Sequence, residues 1–147
     1  MASTNYSSPQ FLSKDDLIDE RTFNFGEIWK IRDCLISIPD ADRINSRNEH
    51  FCRTVVIVDN NKQNSNKFSP IITVAPLSHR LDCMREFDIP LSKEKDGVKE
   101  DCLLRMSLAQ PVLKKDLYER IGEIHDDSKD EIIDVLLQKI GINPENL

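Results

Sequence analysis

Two runs of β-branched residues set the limits on what this chain can become. Residues 51–59 read FCRTVVIVD and residues 70–77 read PIITVAPL. Rich in Val, Ile and Thr, the first reads as a strand running into a turn at Asp59–Asn61, and the second, near-continuous, as a central strand starting at Pro70. Such strands need hydrogen-bonded neighbours on either side to satisfy their backbones.

The flanking segments supply those neighbours. GEIWKI at 26–31 sets Ile28 and Lys30 against Trp29 and Ile31, the alternation of a half-buried strand. MREFDIPL at 84–91 alternates as well, and Pro90 marks an edge or a strand end. CLLRMSLA at 102–109 gives a fifth strand. Short strands with little helix between them predict an antiparallel barrel rather than a parallel α/β sheet. Residues 39–50 (PDADRINSRNEH) hold almost nothing apolar and read as a long exposed loop. A loop of that length in a small domain is often functional. Residues 60–66 read as a flexible polar turn, and 92–101 as a charged loop turning at Gly97.

Both ends differ from the middle. Residues 1–10 carry no periodic apolar pattern and read as mobile. Ser13 caps a predicted short helix reaching about Thr22, with Asp15 and Asp16 in its first turn. Residues 1–25 thus form an N-terminal extension, and 26–147 the barrel domain. Near the C-terminus Ser128 and Glu131 spell a capping box, followed at helical spacing by Ile132, Ile133, Leu136, Leu137 and Ile140. Gly141 and Pro144 end this amphipathic helix, which lies on the barrel or across a partner.

With 147 residues, 39% of them apolar, the chain can bury one modest core. No apolar run approaches the roughly 18–20 residues that cross a bilayer. The Ser-, Asn- and Asp-rich start lacks the basic-then-apolar order of a secretory signal, so a cytoplasmic protein without membrane attachment is expected. Cys34, Cys52, Cys83 and Cys102 are widely spaced, form no C-x-x-C and have no histidine at ligand spacing. Reduced structural thiols, no metal and no cofactor are the expectation. The net charge of −6 excludes a general nucleic-acid coat. Charge is unevenly spread, however: residues 26–80 hold eight Lys/Arg against six Asp/Glu, and residues 118–147 hold three against eight. A mildly basic face beside an acidic tail can meet phosphate, although an ordinary solvated surface fits the charge equally well.

Taken in order, the segments resemble the MazF/PemK toxins over roughly residues 25–142. The likeness runs through GEIW, the long polar loop, RTVVIVD at 53–59 and IITVAPLS at 71–78. It continues with EFDIPL at 86–91, KEDCLLRMS at 99–107, LKKDLYERIGEI at 113–124 and the capped terminal helix. No single piece is specific; order and spacing carry it. The resemblance implies an SH3-like antiparallel β-barrel, a fold shared with the CcdB toxins. It further implies a metal-independent endoribonuclease toxin of a type II toxin-antitoxin system. In such an enzyme a ribose 2′-hydroxyl attacks its own phosphodiester, leaving a cyclic phosphate and a free 5′-hydroxyl. That chemistry needs an acceptor for the hydroxyl proton, a cation for the phosphoryl oxygens and a donor for the leaving oxygen. A single-stranded RNA substrate, a homodimer and an antitoxin with an acidic segment in the RNA groove are implied as well.

Carried over by position, Arg53 matches the family's catalytic arginine, whose guanidinium can grip two phosphate oxygens. Ser78 falls where the family has a threonine; it keeps the hydroxyl and loses the methyl that restricts the rotamer. His79 comes from chemistry alone, since imidazoles exchange protons near neutral pH. His50 offers the same chemistry. Arg43, Arg47, Lys62 and Lys67, with Arg80, line an expected RNA path across the long loop, and Phe51 and Phe68 are stacking candidates or, with equal weight, core residues. Each has a bland alternative: a surface arginine, a loop serine, ordinary polar surface.

One departure from the family pattern stands out. The family often carries a glutamine flanked by acidic and basic residues in its late strand, and here residues 107–110 are Ser, Leu, Ala and Gln. Gln110 takes that RNA-binding role only through a local shift. A second reading therefore stays open: a non-catalytic interaction module on the same barrel, either a CcdB-like topoisomerase binder or a degenerate toxin. A plain scaffold barrel, supported only by the negative charge, is the third.

Overall fold

The computed structural model describes residues 10–147; the stretch expected to be mobile, 1–10, lies almost wholly outside them. In chain order the regular elements are β1 (Glu27–Arg32), α1 (Pro39–Arg43), β2 (Cys52–Ile57), α2 (Asn61–Asn64) and β3 (Ile71–Ser78). They continue with β4 (Asp88–Leu91), β5 (Cys102–Arg105), β6 (Gln110–Leu113), β7 (Glu119–Glu123) and α3 (Asp126–Lys139). The strands form one curled antiparallel sheet in the order β4-β5-β3-β2-β1-β7, with β6 pairing the first half of β3. This half-barrel with its C-terminal helix is the expected fold. All five expected strands are present, though the fourth begins only at Asp88 and the fifth ends at Arg105, where Met106–Leu108 makes a 3-10 turn; β6 and β7 were not expected, and β4 is an edge as Pro90 implied.

The β-branched runs work as their pattern requires. Val55 and Ile57 of β2 enter one core with Trp29, Ile31, Ile72 and Val74. Val56 and Val58 enter another with Ile28, Ala75, Leu77 and Leu104. Successive strand residues point to opposite faces, so a strand covered on both sides has no polar alternate. Each such side chain contributes about 1.5–3 kcal/mol when wholly buried.

Several local expectations need correction. The predicted N-terminal helix is a single 3-10 turn at Asp15–Leu17, although Ser13 and Asp16 do exchange hydrogen bonds across it. Beyond that turn the chain is tied to the barrel rather than appended to it. Phe23 is fully buried, and the Arg21 guanidinium sits over the rings of Phe23 and Trp29. The long loop is not free: Pro39 starts α1, and the Ile38 amide donates to Asp42 at 2.9 Å. The polar turn contains α2, whose N-cap Asn60 accepts from the Gln63 amide at 2.8 Å.

The terminal helix begins earlier than its capping box suggested. His125 is the N-cap, and its Nδ1 accepts from the Asp127 amide at 3.1 Å. Ser128 lies inside the first turn, buried, with its hydroxyl donating to Asp96 at 2.8 Å. Gly141 ends the helix at φ +84°, a left-handed value that glycine adopts without penalty. Of the expected stripe only Ile132 reaches the core, with Val135 packed beside it, while Ile133, Leu136 and Ile140 are exposed. Among the described residues, no helix is long and apolar enough to cross a membrane.

Candidate functional site

The sheet splits where β3 leaves β2. Their ladder runs from Ile57↔Val74 to Val55↔Pro76. Pro76 has no N–H to extend it. Past this point β2 pairs with β1, through Thr54, Arg53 and Cys52, while β3 turns to β5, through Leu77 and Ser78. Carried two residues further, the β2–β3 register sets Arg53 across from Ser78. The strands part there, and Arg53 Nη1 donates across the gap to the Leu77 carbonyl at 3.2 Å.

A cavity of about 390 Å³ opens in that gap, lined by His50, Arg53, Thr54, Ser78, His79 and Arg80 among others. The structure thus brings together the three residues expected to be catalytic. It adds the second histidine, His50, to the wall. Arg53 and Ser78 also face a second hollow with Arg47, Arg85 and Arg105.

Each side chain is held by something specific. Asp33, wholly buried just after β1, receives Arg53 Nε at 2.7 Å, the His50 amide at 2.9 Å and a guanidinium bond from Arg47. Burial works to raise the Asp33 carboxyl, and the bonds from Arg53, the His50 amide and Arg47 outweigh it, leaving it below the usual carboxylate range. Arg53 is fixed through Nε and Nη1, with 19% of its side chain exposed toward solvent. The Ser78 hydroxyl oxygen accepts from the Arg80 amide at 3.2 Å and from Arg105 Nη2 at 3.4 Å. Two donors into one oxygen leave its own O–H to donate outward. His79 is at the rim, 64% exposed, with Nδ1 3.7 Å from Glu100.

The expected RNA path divides. Arg47 and Arg80 line the hollows. Arg47 is largely engaged already, by Asp33, Asp42 and the Ile36 carbonyl. Arg43 is exposed at the end of α1. Lys62 and Lys67 sit at the turn end of the β2–β3 hairpin, away from the gap, and Lys67 lies near Glu20 and over Phe68. Phe51 and Phe68 are exposed rather than core, and Phe51 flanks the site with Arg32 beside its ring. Gln110 is locked: its carbonyl accepts from the Ser37 amide at 2.8 Å, and its NH₂ donates to the Ser37 and Leu108 carbonyls. It braces the segment before α1 rather than offering its amide to a ligand.

Asp33, Arg85 and Arg105 were not among the expected site residues. A signal existed for two of them. Asp33 interrupts IRDCLISI and Arg105 interrupts CLLRMSL, and a charge inside an apolar run needs a partner. Arg85 carries no such mark.

Residues 27–140 match the family described as PemK-like, MazF-like toxin of type II toxin-antitoxin system. Among solved structures, an endoribonuclease from a Mycobacterial species superposes with a TM-score of 0.59 at 12% identity, covering 83% of this chain and 94% of that one. The toxin MazF-mt6 of Mycobacterium tuberculosis gives 0.58 at 13% identity, over 80% of this chain and 98% of the other. A MazE–MazF structure from Deinococcus radiodurans gives 0.57 at 13%, over 84% and 99%. At such identities the structural likeness is one of fold.

Proposed function

The chain belongs to the PemK-like, MazF-like toxins of type II toxin-antitoxin systems, and from that premise we propose that it is an endoribonuclease cutting single-stranded RNA at the gap between β2 and β3. The observation that carries this reading is the shared cavity: a fixed guanidinium, a hydroxyl with its hydrogen free to donate, and two histidines line one opening.

In this reading the scissile phosphate sits against Arg53, whose unengaged N–H groups bind the non-bridging oxygens. Ser78 donates its hydroxyl hydrogen to the same phosphoryl group. His79 accepts the proton of the ribose 2′-hydroxyl as that oxygen bonds to phosphorus. The bond to the 5′-oxygen breaks, and His50 supplies the proton with which it leaves. The products are a 2′,3′-cyclic phosphate and a 5′-hydroxyl. Charge on the phosphoryl oxygens is met by the protein's own cation, so the reaction proceeds in EDTA. Removing such a donor raises the barrier by about 3–4 kcal/mol, a hundredfold or more in rate.

The proposal extends to partners. A MazE–MazF structure and an endoribonuclease bound to its cognate antitoxin are among the solved relatives. An antitoxin that blocks the basic cavity fits the same logic here. A homodimer, acting in the cytoplasm, completes the reading; Ile133, Leu136 and Ile140 give α3 an exposed apolar face suited to a second copy.

The deciding experiment incubates a long single-stranded RNA with the protein and with Arg53→Ala, both in EDTA. Cutting by the parent and a hundredfold slower cutting by the variant is expected. No cutting by the parent across several RNAs would replace the nuclease with an interaction module. Light scattering across a dilution series tests the dimer: a monomer mass throughout would exclude it.

A further inference from the structure

We propose that the second hollow is a subsite for the nucleotide flanking the cut, with Arg85 and Arg105 gripping its phosphodiester. This rests on the nuclease reading and assigns a binding role to Arg85, which that reading does not use, and to Arg105, which it uses only to orient Ser78.

The hollow, about 250 Å³, shares Arg53, Ser78 and Arg80 with the cleavage cavity. Among the described residues, five arginines line it and no carboxylate does. Each guanidinium nevertheless has an aspartate partner standing outside the lining. Asp33 serves Arg47 and Arg53, Asp82 serves Arg80 at 3.3 Å, Asp40 serves Arg85 at 3.0 Å and Asp88 serves Arg105 at 2.7 Å. A guanidinium has five N–H donors, and one carboxylate occupies at most two of them. Arg105 also gives N–H groups to the Cys83 carbonyl and the Ser78 hydroxyl, at 3.4 Å, and is set in place by these with Asp88, while the Arg85 guanidinium is oriented by Asp40 and keeps N–H groups for a ligand.

Asp88 couples the two residues in question. Its Oδ2 accepts from the Arg85 amide at 2.8 Å as well as from Arg105 Nη1. Arg105 is deeply set, with 10% of its side chain exposed, while Arg85 at 52% forms the outer lip. Arg47 contributes a buried Nε that has no partner among the described residues.

Size and lining define the ligand. The volume exceeds what a lone phosphate needs, and Ile38, Ala41 and Leu108 give an apolar wall for a sugar or base beside the arginines. The hollow opens onto Arg53 and Ser78, so an RNA whose scissile phosphate rests there has its next linkage at the arginines. An acidic peptide would meet the same charges without that continuity.

Binding separates this proposal from the nuclease reading. A short single-stranded RNA with 2′-O-methyl riboses cannot be cut, and its fluorescence anisotropy is followed against salt for the parent, Arg85→Gln and Arg105→Lys. Thermal melts check that each variant is folded. Arg85→Gln is expected to weaken binding about tenfold at low salt and to lower the log–log salt slope by about 0.7, because one phosphate is no longer neutralised. Arg105→Lys keeps its charge without the fork, so affinity falls with the slope retained. A dinucleotide, which has only the scissile phosphate, binds parent and Arg85→Gln alike. If the parent cuts RNA yet Arg85→Gln leaves affinity and slope unchanged, the subsite is wrong and the nuclease stands. Equal weakening on the dinucleotide would move Arg85 to the scissile phosphate and also overturn the subsite. Weakening confined to binding of a Glu- and Asp-rich peptide would assign the hollow to a protein partner instead. A parent that neither binds nor cuts RNA removes both readings.

Discussion

Arg53 and Asp33 are 20 residues apart in sequence, and the guanidinium Nε of one donates at 2.7 Å to the fully buried carboxylate of the other. Arg47 uses the same carboxylate. One anion thus holds two cations at the mouth of the cleavage gap. Asp33→Asn would leave Arg53 without its counter-ion and Arg47 with Asp42 as its remaining carboxylate, and removing one member of a buried ion pair costs about 3 kcal/mol or more. Urea unfolding should show that loss, together with slower RNA cutting because Arg53 loses its fixed direction. An unchanged midpoint would mean that Asp33 is no anchor.

The same carboxylate makes stability depend on acid. Glu27 behaves alike: burial raises it, and bonds from the Asn24 amide, Arg120 and Trp29 more than offset that, so it too lies below its ordinary value. Asp19 is lowered foremost by its bond from Arg21. A carboxyl with a depressed folded-state value gives stability that is whole above its unfolded value, about pH 4, and is lost as pH falls through the folded one. The urea midpoint should therefore hold steady from about pH 7 to pH 5 and drop below about pH 4. Asp33→Asn should drop less steeply over that acid range. A parallel fall in parent and variant would show that Asp33 does not contribute to the slope.

What the sequence revealed follows from how each element is specified. β2 and β3 are buried on both faces, so their β-branched runs are dense and unmistakable. β6 (QPVL) and β7 (ERIGE) are short and interrupted by proline or glycine, and their place comes from pairing with β3 and β1 rather than from local preference. Arg53 and Ser78 were legible through resemblance. Their juxtaposition comes from the register across Pro76. Lys62 is a polar residue in a polar stretch and Gln110 an uncharged amide among Leu108, Ala109, Pro111 and Val112, and nothing local tells a distant lysine or a brace from a group that meets a ligand. Asp33 and Arg105 needed long-range partners to be understood.

Ser78 gives a test of what the hydroxyl does. Its oxygen already accepts from the Arg80 amide and from Arg105, so its hydrogen is the part left for a phosphoryl oxygen. Ser78→Ala should slow cleavage by about tenfold to a hundredfold with little change in RNA affinity, as expected for a donor used mainly in the transition state. Ser78→Thr restores the hydroxyl and should recover most of the rate. If the alanine variant cuts as fast as the parent, Ser78 only ends a strand.

Asp96 ties the β4–β5 loop to the terminal helix. Fully buried, it accepts from the Ser92 amide through Oδ2, and from the His125 amide and the Ser128 hydroxyl through Oδ1. The adjoining Gly97 has φ +67°, and a Cβ there would come within 3.0 Å of the Glu123 carbonyl oxygen, so the loop packs tightly onto the end of β7. Asp96→Ala leaves three donors unmet in the interior, a loss of about 3 kcal/mol. Ser128→Ala removes one donor and costs about 1 kcal/mol. Since both act through one carboxylate, the double variant should be no worse than Asp96→Ala by itself. Amide hydrogen exchange should quicken first in α3 and residues 92–98, ahead of β2 and β3. Additive losses, or exchange that quickens uniformly across the sheet, would show that the helix is held by Ile132 and Val135 and not by this carboxylate.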